Sequence, residues 1–571
     1  MNRSGDNIRK HRPFEPARVI ILSTVLSALA VISLTLSCSK KEDFQGSLMA
    51  LDSLVEESIS LHSHLHPLRS SRLGITGSDS RLFTFSRQEI DRSLEKIDAI
   101  LKKISTLPAN HFDNDRLDES TMLIRWLQGE AYALKELQIF RTNPLIYTWM
   151  LEEALYLIPS RHTPPSEQEF EDYSKRLSRI PGLISNAGLL LDNPAKIVIG
   201  PAAFSTRSML DDTGNIRKLI EDRYDSVPSS FDVAMESIET FHNFLIHDLP
   251  EFSHGRFILG TEVLSDIYRY SGQIDIEMEK SSAEAEKSIS KYRSQINSID
   301  RSPKLRDAGH PLTPGPGIRA MLDSIEISLD SKKVFGPIGK TPFSLIRRTP
   351  PPLHEILPVN PYLVVPYRKV VDIYSQGPAL LSDEPCTRSI IVARGAERTS
   401  TAQLTYGLYG VSSAVWEAER RLCSDSTPAM RLLSGELFFT AWKIHNLKEL
   451  SSMASEMKMK IRKIHLENKI HDLTMMIIVF RLHSGSFTVD SATDFVASTL
   501  NIPVDEAKYK VSIAAALPSA ALPGIATIMA DEMVKQASTV RGERYPRKRV
   551  RRKMLENYGK PFSLIMDEIK Y

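Results

Sequence analysis

Neither sign of charge dominates this chain. Its 72 Lys and Arg residues stand against 70 Asp and Glu, a formal charge of +2 over 571 residues. That balance excludes a globally electrostatic partner such as nucleic acid, so any polyanion must be met locally. Glycine-rich phosphate loops, the Gly-x-Ser-x-Gly elbow and the dinucleotide fingerprint are all missing, and the sequence offers no cofactor. Cysteine is down to three, Cys38, Cys386 and Cys423. No paired histidine motif accompanies either of the last two, which makes a buried or bridged cysteine the expectation rather than a nucleophile. No repeat or low-complexity tract stands out, so the pattern is read element by element.

The N-terminus carries a clear pattern. Arg3, Arg9, Lys10, Arg12 and Arg18 precede an uncharged apolar run of 18 residues, Val19 to Leu36, followed by Ser37, Cys38 and the polar Ser39-Lys40-Lys41-Glu42-Asp43. A positive start, an apolar stretch and a small residue are the layout of an export signal. Ser37-Cys38 resembles a loose lipoprotein cleavage box, with Thr35 where an aliphatic residue is usual and Leu34 one step back. Cys38 would then be the acylated residue, and a diacyl anchor holds where a single chain is marginal. The other reading is an uncleaved span, since the run approaches the roughly 20 residues that cross a bilayer. Both readings place the bulk of the chain outside the cytoplasm, in the cell envelope and tethered to a membrane. In that oxidising setting Cys386 and Cys423 are a candidate disulfide.

Apolar residues make up 42% of the chain, enough for a large core. Ser86 and Glu89 have capping-box spacing, and Ile90, Leu94, Ile97, Leu101 and Ile104 follow at three- and four-residue steps, which predicts an amphipathic helix. Similar patterns run over Met122 to Arg141, Glu167 to Leu191, Phe231 to His247 and Ser265 to Ile299, a helical bundle. Between Pro303 and Pro366 sit 12 of the 33 prolines, the expected seam, with one short helix from Arg319 to Leu329. Tyr362 to Val371 and Arg388 to Arg394 have the β-branched content of short strands. Leu404 to Leu422, Ala429 to Ile464, Thr474 to Leu482, Asp490 to Leu500 and Val504 to Ala516 read as helices again, with Pro503 and Pro518 as stops. Arg541 to Lys553 holds eight basic residues against Glu543; it reads as a solvated linker and helix start, or as a contact for anionic lipid.

Several short motifs occur in a recognisable order. Asn143-Pro144-Leu145-Ile146-Tyr147, Arg176-Leu177-Ser178-Arg179-Ile180-Pro181, Phe257-Ile258-Leu259-Gly260 and Leu482-His483-Ser484-Gly485 are four of them. Thr405-Tyr406-Gly407-Leu408-Tyr409-Gly410-Val411-Ser412, Ser434 to Ala441 and Pro518 to Gly524 complete the set. From about Leu51 to the C-terminus this series resembles the bacterial family known as "domain of unknown function 885", a group similar to zinc-dependent peptidases. The resemblance implies a mainly α, two-lobed helical metallopeptidase-like fold with a small β-sheet in the C-terminal lobe. The implied division is 1–38 signal and anchor, 39–302 N-terminal helical lobe, 303–366 Pro-rich connection and 367–571 C-terminal lobe.

The same resemblance implies that the chemistry has gone. Where the family carries His-Glu-x-x-Pro-Gly-His-His, only Gly410 remains, and Thr405, Val411 and Ser412 cannot make the three-ligand site with an open water position that a catalytic zinc needs. Tyr406 replaces the general-base carboxylate with a phenol that stays protonated near pH 7. Of the motif Glu-Gly-Trp-Ala-x-Tyr-x-Glu, Gly435 survives and the first Glu is Ser434; the reacting tyrosine of Pro-Gly-Gln-Ala-x-x-Tyr has become Gly524. No catalytic residue and no metal is expected. His483 reads as a leftover substrate contact or as a hydrogen-bonded structural histidine.

Other combinations are poorer. His62, His64 and His66 could share a strand face, but Pro67 follows and no acid or cysteine stands nearby, so a surface loop with adventitious metal binding is expected. His242 with His247 and His465 with His471 are five and six apart, off the helical ligand spacing of three or four. His354-Glu355 has no second histidine. The leading reading is a tethered extracytoplasmic protein with a peptidase-like frame that binds a peptide or a partner protein between its lobes. Tyr406, Tyr409, Trp416 and Trp442 offer aromatic surface there, with core packing as the plainer role of the tryptophans. The alternatives are a hydrolase with relocated ligands, for instance His445 with Glu436 and Glu449, and a structural envelope lipoprotein.

Overall fold

A computed structural model describes residues 44–161, 164–302, short separate stretches between 320 and 423, and then 426–434, 436–451, 458–541, 547–561 and 564–565. The chain is mainly α-helical. The helix Arg87–Ser105 shows how local rules start it: Ser86 accepts from the Glu89 amide, the Glu89 carboxylate accepts from the Ser86 amide, and Ile97, Ile100 and Ile104 turn into the core. Leu145–Tyr156 is apolar around most of its circumference because nearly all of it is buried. Asn143 opens that helix, its side-chain oxygen accepting from the Leu145 amide at 3.0 Å while its amide donates to the Ala516 carbonyl at 2.7 Å.

The organising element is Lys458–His483, 26 residues and so about 39 Å long. It packs on Met278–Asp300, Leu522–Arg541, Val489–Leu500 and Val504–Ala516. Arg481 meets Glu286 at 2.8 Å and Lys463 meets Asp300 at 2.7 Å across the first of these seams. Helices before and after the Pro-rich stretch therefore share one apolar core, which extends from Leu51 to Ile565 among the described residues. Strands are short. Phe343–Arg348 pairs in parallel with Arg388–Ala393, which pairs antiparallel with Ile373–Gln376, and His354–Ile356 pairs with Tyr367–Arg368. Among the described residues no single helix is long and apolar enough to cross a membrane.

Several sequence expectations need correction. The pattern from Ser265 to Ile299 is two helices, Thr261–Ser271 and Met278–Asp300; Gly272 is pressed against the Tyr268 carbonyl and Gln273 takes a left-handed φ of 52° that ends the first. Glu167 to Leu191 likewise divides into Glu167–Leu177 and Ile180–Leu190, the second admitting Pro181 in its first turn. Ala429 to Ile464 is broken into Pro428–Leu433, Glu436–Ser451 and the start of the long helix, and Thr474 to Leu482 belongs to that long helix. Most of the helix expected from Arg319 to Leu329 and most of Leu404 to Leu422 lie outside the described residues.

Candidate functional site

Of the residues at which the resemblance puts chemistry, Tyr406, Ser434, His483 and Gly524 are described; Thr405, Tyr409, Gly410, Val411, Ser412, Trp416, Gly435 and Cys38 lie outside the described residues. Tyr406 is half-buried, its hydroxyl 3.4 Å from His465 Nδ1. Ser434 is buried at the end of Pro428–Leu433, where the Arg69 guanidinium donates to the carbonyls of Leu432 and Ser434. A cation at a helix C-terminus satisfies carbonyls with no amide partner. Gly524 sits where Leu522–Arg541 crosses the long helix, and a Cβ there would stand 2.5 Å from the Asp472 carbonyl oxygen and 2.6 Å from Met476 Cβ. No side chain fits at this position without a shift of the long helix.

Two of the short motifs meet directly in space, and two others are tied to residues close by. The Gly260 amide donates to the His483 carbonyl at 2.9 Å, and the Phe257 ring stands edge-on to the His483 imidazole with centroids 6.2 Å apart. His483 Nε2 lies 3.2 Å from the Ala514 carbonyl, Asn143 reaches Ala516, and the Tyr268 hydroxyl donates to the Pro518 carbonyl at 2.8 Å. His483 is thus a buried brace between segments rather than a solvent-facing contact.

Burial pushes the His483 pKa down to about 4. The unfolded chain binds that proton near pH 6.5, so the unfolded state takes up more protons between the two values and stability falls as pH drops from about 6.5 toward 4. His62 is pushed down in the same direction, first by burial and then by His66 and Arg69. We expect a loss of about 2–3 kcal/mol from His483 alone on acidification, read as the denaturant midpoint at pH 7 against pH 4.5, and a flatter dependence in His483→Gln.

Of the relocated ligand set, only the His445 side chain is described. His445 is buried with its ring stacked 6.4 Å from Trp442, itself fully buried in the core; the side chains of Glu436 and Glu449 lie outside the described residues. Among the described residues no group of three His, Cys, Asp or Glu is arranged to hold a metal ion.

The histidine cluster near residue 64 is where sequence reasoning went wrong. Residues 44–65 form a helix and His66 opens the next, Pro67–Arg72. His62 and His66 are one turn apart and buried, not on a surface loop. His66 Nε2 lies 2.6 Å from Glu130 Oε1 with both side chains fully buried, His62 Nδ1 is 2.7 Å from Ser70 Oγ, and the Tyr362 ring covers His66 at 4.4 Å. The four-residue spacing was the available signal; the acid is 64 positions away. A second unforeseen network ties Asp79 to Arg161, and Glu169 to Arg161, Arg223 and Tyr224. Beside it Arg176 is fully buried, donating to the Ser78 carbonyl, and burial lowers its pKa to about 10.

The chain matches no protein-family model and no curated protein. It is similar in structure to a candidate lipoprotein of unknown function from Shewanella oneidensis, at 12% identity and a TM-score of 0.67 over 92% of this chain and 100% of that one. A candidate lipoprotein from Colwellia psychrerythraea is similar at 12% identity and a TM-score of 0.69, over 92% and 98%. At this identity the likeness establishes a shared fold over nearly the whole length.

Proposed function

We propose that this protein is an extracytoplasmic lipoprotein, held to the membrane through Cys38, whose frame is that of a zinc peptidase without the catalytic apparatus and whose role is to bind a peptide or protein between two helical lobes. The observation that carries the loss of catalysis is Gly524: the Asp472 carbonyl and Met476 occupy the space a side chain would need, so the helix crossing is packed around glycine. Replacement of a reacting group by close packing is what a frame retained for shape leaves behind. The small sheet that includes Arg388–Ala393 would flank the vacated position.

The tether is supported by the apolar run ahead of Cys38 and by structural neighbours described as candidate lipoproteins. Cys423 is disulfide-bonded, which accords with an oxidising compartment; Cys386 lies outside the described residues. In cells expressing the full chain, radiolabelled palmitate should enter the protein and the protein should sediment with membranes. Cys38→Ser should abolish the label. Label retained in that variant would refute acylation at Cys38, and a wild-type protein found free of membranes would refute the tether altogether.

A further inference from the structure

We propose that the basic helix Arg547–Glu556 is a docking surface for the anionic phospholipid headgroups of the bilayer that holds the anchor, so that the protein lies on the membrane in one orientation. This rests on the tethered reading above and goes beyond it by naming which face meets the lipid. Six of the ten residues of that helix, Arg-Lys-Arg-Val-Arg-Arg-Lys-Met-Leu-Glu, are basic, against Glu556 alone. Its end is fixed to the body: Met554 and Leu555 are buried in the core, while Arg552 stays 65% exposed.

The fold brings this helix to the end of the molecule where the tether arrives. Lys560, just beyond it, reaches Asp115 at 3.0 Å and Asp118 at 2.8 Å, both in the first turns of Asn114–Tyr132. Arg116 of the same turns meets Asp52 at 3.0 Å on the 44–65 helix. Just ahead of Asn114–Tyr132, His111 holds Ser47 at 3.0 Å and lies against the Phe44 ring. The first helix therefore begins beside the end of the basic one. Five residues separate Cys38 from Phe44, six steps with a reach of at most about 21 Å, and the basic helix is only about 15 Å long.

Two further observations suit a lipid partner. Phe44 and Met49, on the first turns after the tether, are 44% and 67% exposed, placed to sit at headgroup depth. Among the described residues, four acids at this end are engaged: Asp115 and Asp118 with Lys560, Asp52 with Arg116, and Glu556 with Arg552 and Lys553. By sequence, Arg547–Glu556 carries six basic residues against one acid, a local excess of the sign that anionic headgroups attract. Near-neutral overall charge makes this local field, not the whole protein, the source of attraction.

The test uses the full-length acylated protein reconstituted in vesicles of phosphatidylcholine alone or with about 30% phosphatidylglycerol, reading amide hydrogen exchange over 547–556. Exchange is expected to slow about fivefold or more on the anionic vesicles only, and to recover in about 0.5 M salt. The paired change Arg552→Glu with Lys553→Glu should remove the protection. Reversal of two exposed lysines on other helices, Lys280→Glu with Lys508→Glu, should leave it. Equal exchange on neutral and anionic vesicles would overturn the proposal whether or not the protein floats with them. Flotation with neutral vesicles reads the tether separately, so failure of the anchor and failure of the docking surface are told apart.

Discussion

Replacing Gly524 by alanine is expected to lower the unfolding free energy by about 2–3 kcal/mol. Two effects compete at this site. Alanine is the better helix former by about 1 kcal/mol, and position 524 lies in the first turn of Leu522–Arg541. Against that, the added methyl would meet the Asp472 carbonyl oxygen at 2.5 Å and Met476 Cβ at 2.6 Å. The first obstacle is backbone of the long helix and cannot swing aside, so the two helices must separate along a seam that is close-packed. Overpacking wins. The matching control is Gly182→Ala, also in a helix's first turn but with nothing within 4 Å of the added atom, where a neutral or slightly stabilising change is expected. Chemical denaturation of both variants beside the parent reads the difference directly, and equal midpoints for the two would show that the crossing is looser than these distances require. Gly524→Tyr, a far larger side chain at the same crossing, should not accumulate as folded protein.

The second large effect lies at Glu130. Glu130→Ala is expected to destabilise the chain by about 3–5 kcal/mol, because one partner of a fully buried pair is removed and the other is left in an apolar setting. His66, 2.6 Å from the Glu130 carboxylate and covered by Tyr362, has no solvent to turn to. Glu130→Gln keeps an acceptor oxygen and should cost less. The double change His66→Leu with Glu130→Leu should recover much of the loss, since replacing both partners by apolar groups of similar size removes the desolvation cost along with the bond. A double-mutant cycle on the thermal midpoint separates the pair from its packing; additive single losses would show that the two residues do not act together.

What could be read from the chain was what depends on near neighbours. The Ser86–Glu89 capping box, the isoleucine face of Arg87–Ser105, and the bounds of Val504–Ala516 between two prolines all follow from contacts within one or two turns. The break at Gly272 and Gln273 was missed because helical periodicity continues on both sides of it. His62 and His66 were misread for a different reason: alternate histidines before a proline suggest an extended loop, whereas Pro67 is the first residue of a new helix. Nothing local announces Glu130 or Tyr362 as partners, since they come from 64 and 296 positions beyond His66. For the candidate site, the sequence offers only an expectation, a loss of ligand types implied by a resemblance. That Gly524 lies at a helix crossing could be learned only from where Asp472 stands.

The central claim is that the frame has kept its shape and given up metal chemistry. The most direct measurement is the zinc content of the untagged, full-length protein, taken together with a peptidase assay under added zinc. The account predicts less than about a tenth of an equivalent of zinc and no cleavage. Near-stoichiometric zinc that supports cleavage, with both lost in His445→Ala, would contradict it and show that the ligands had moved rather than vanished.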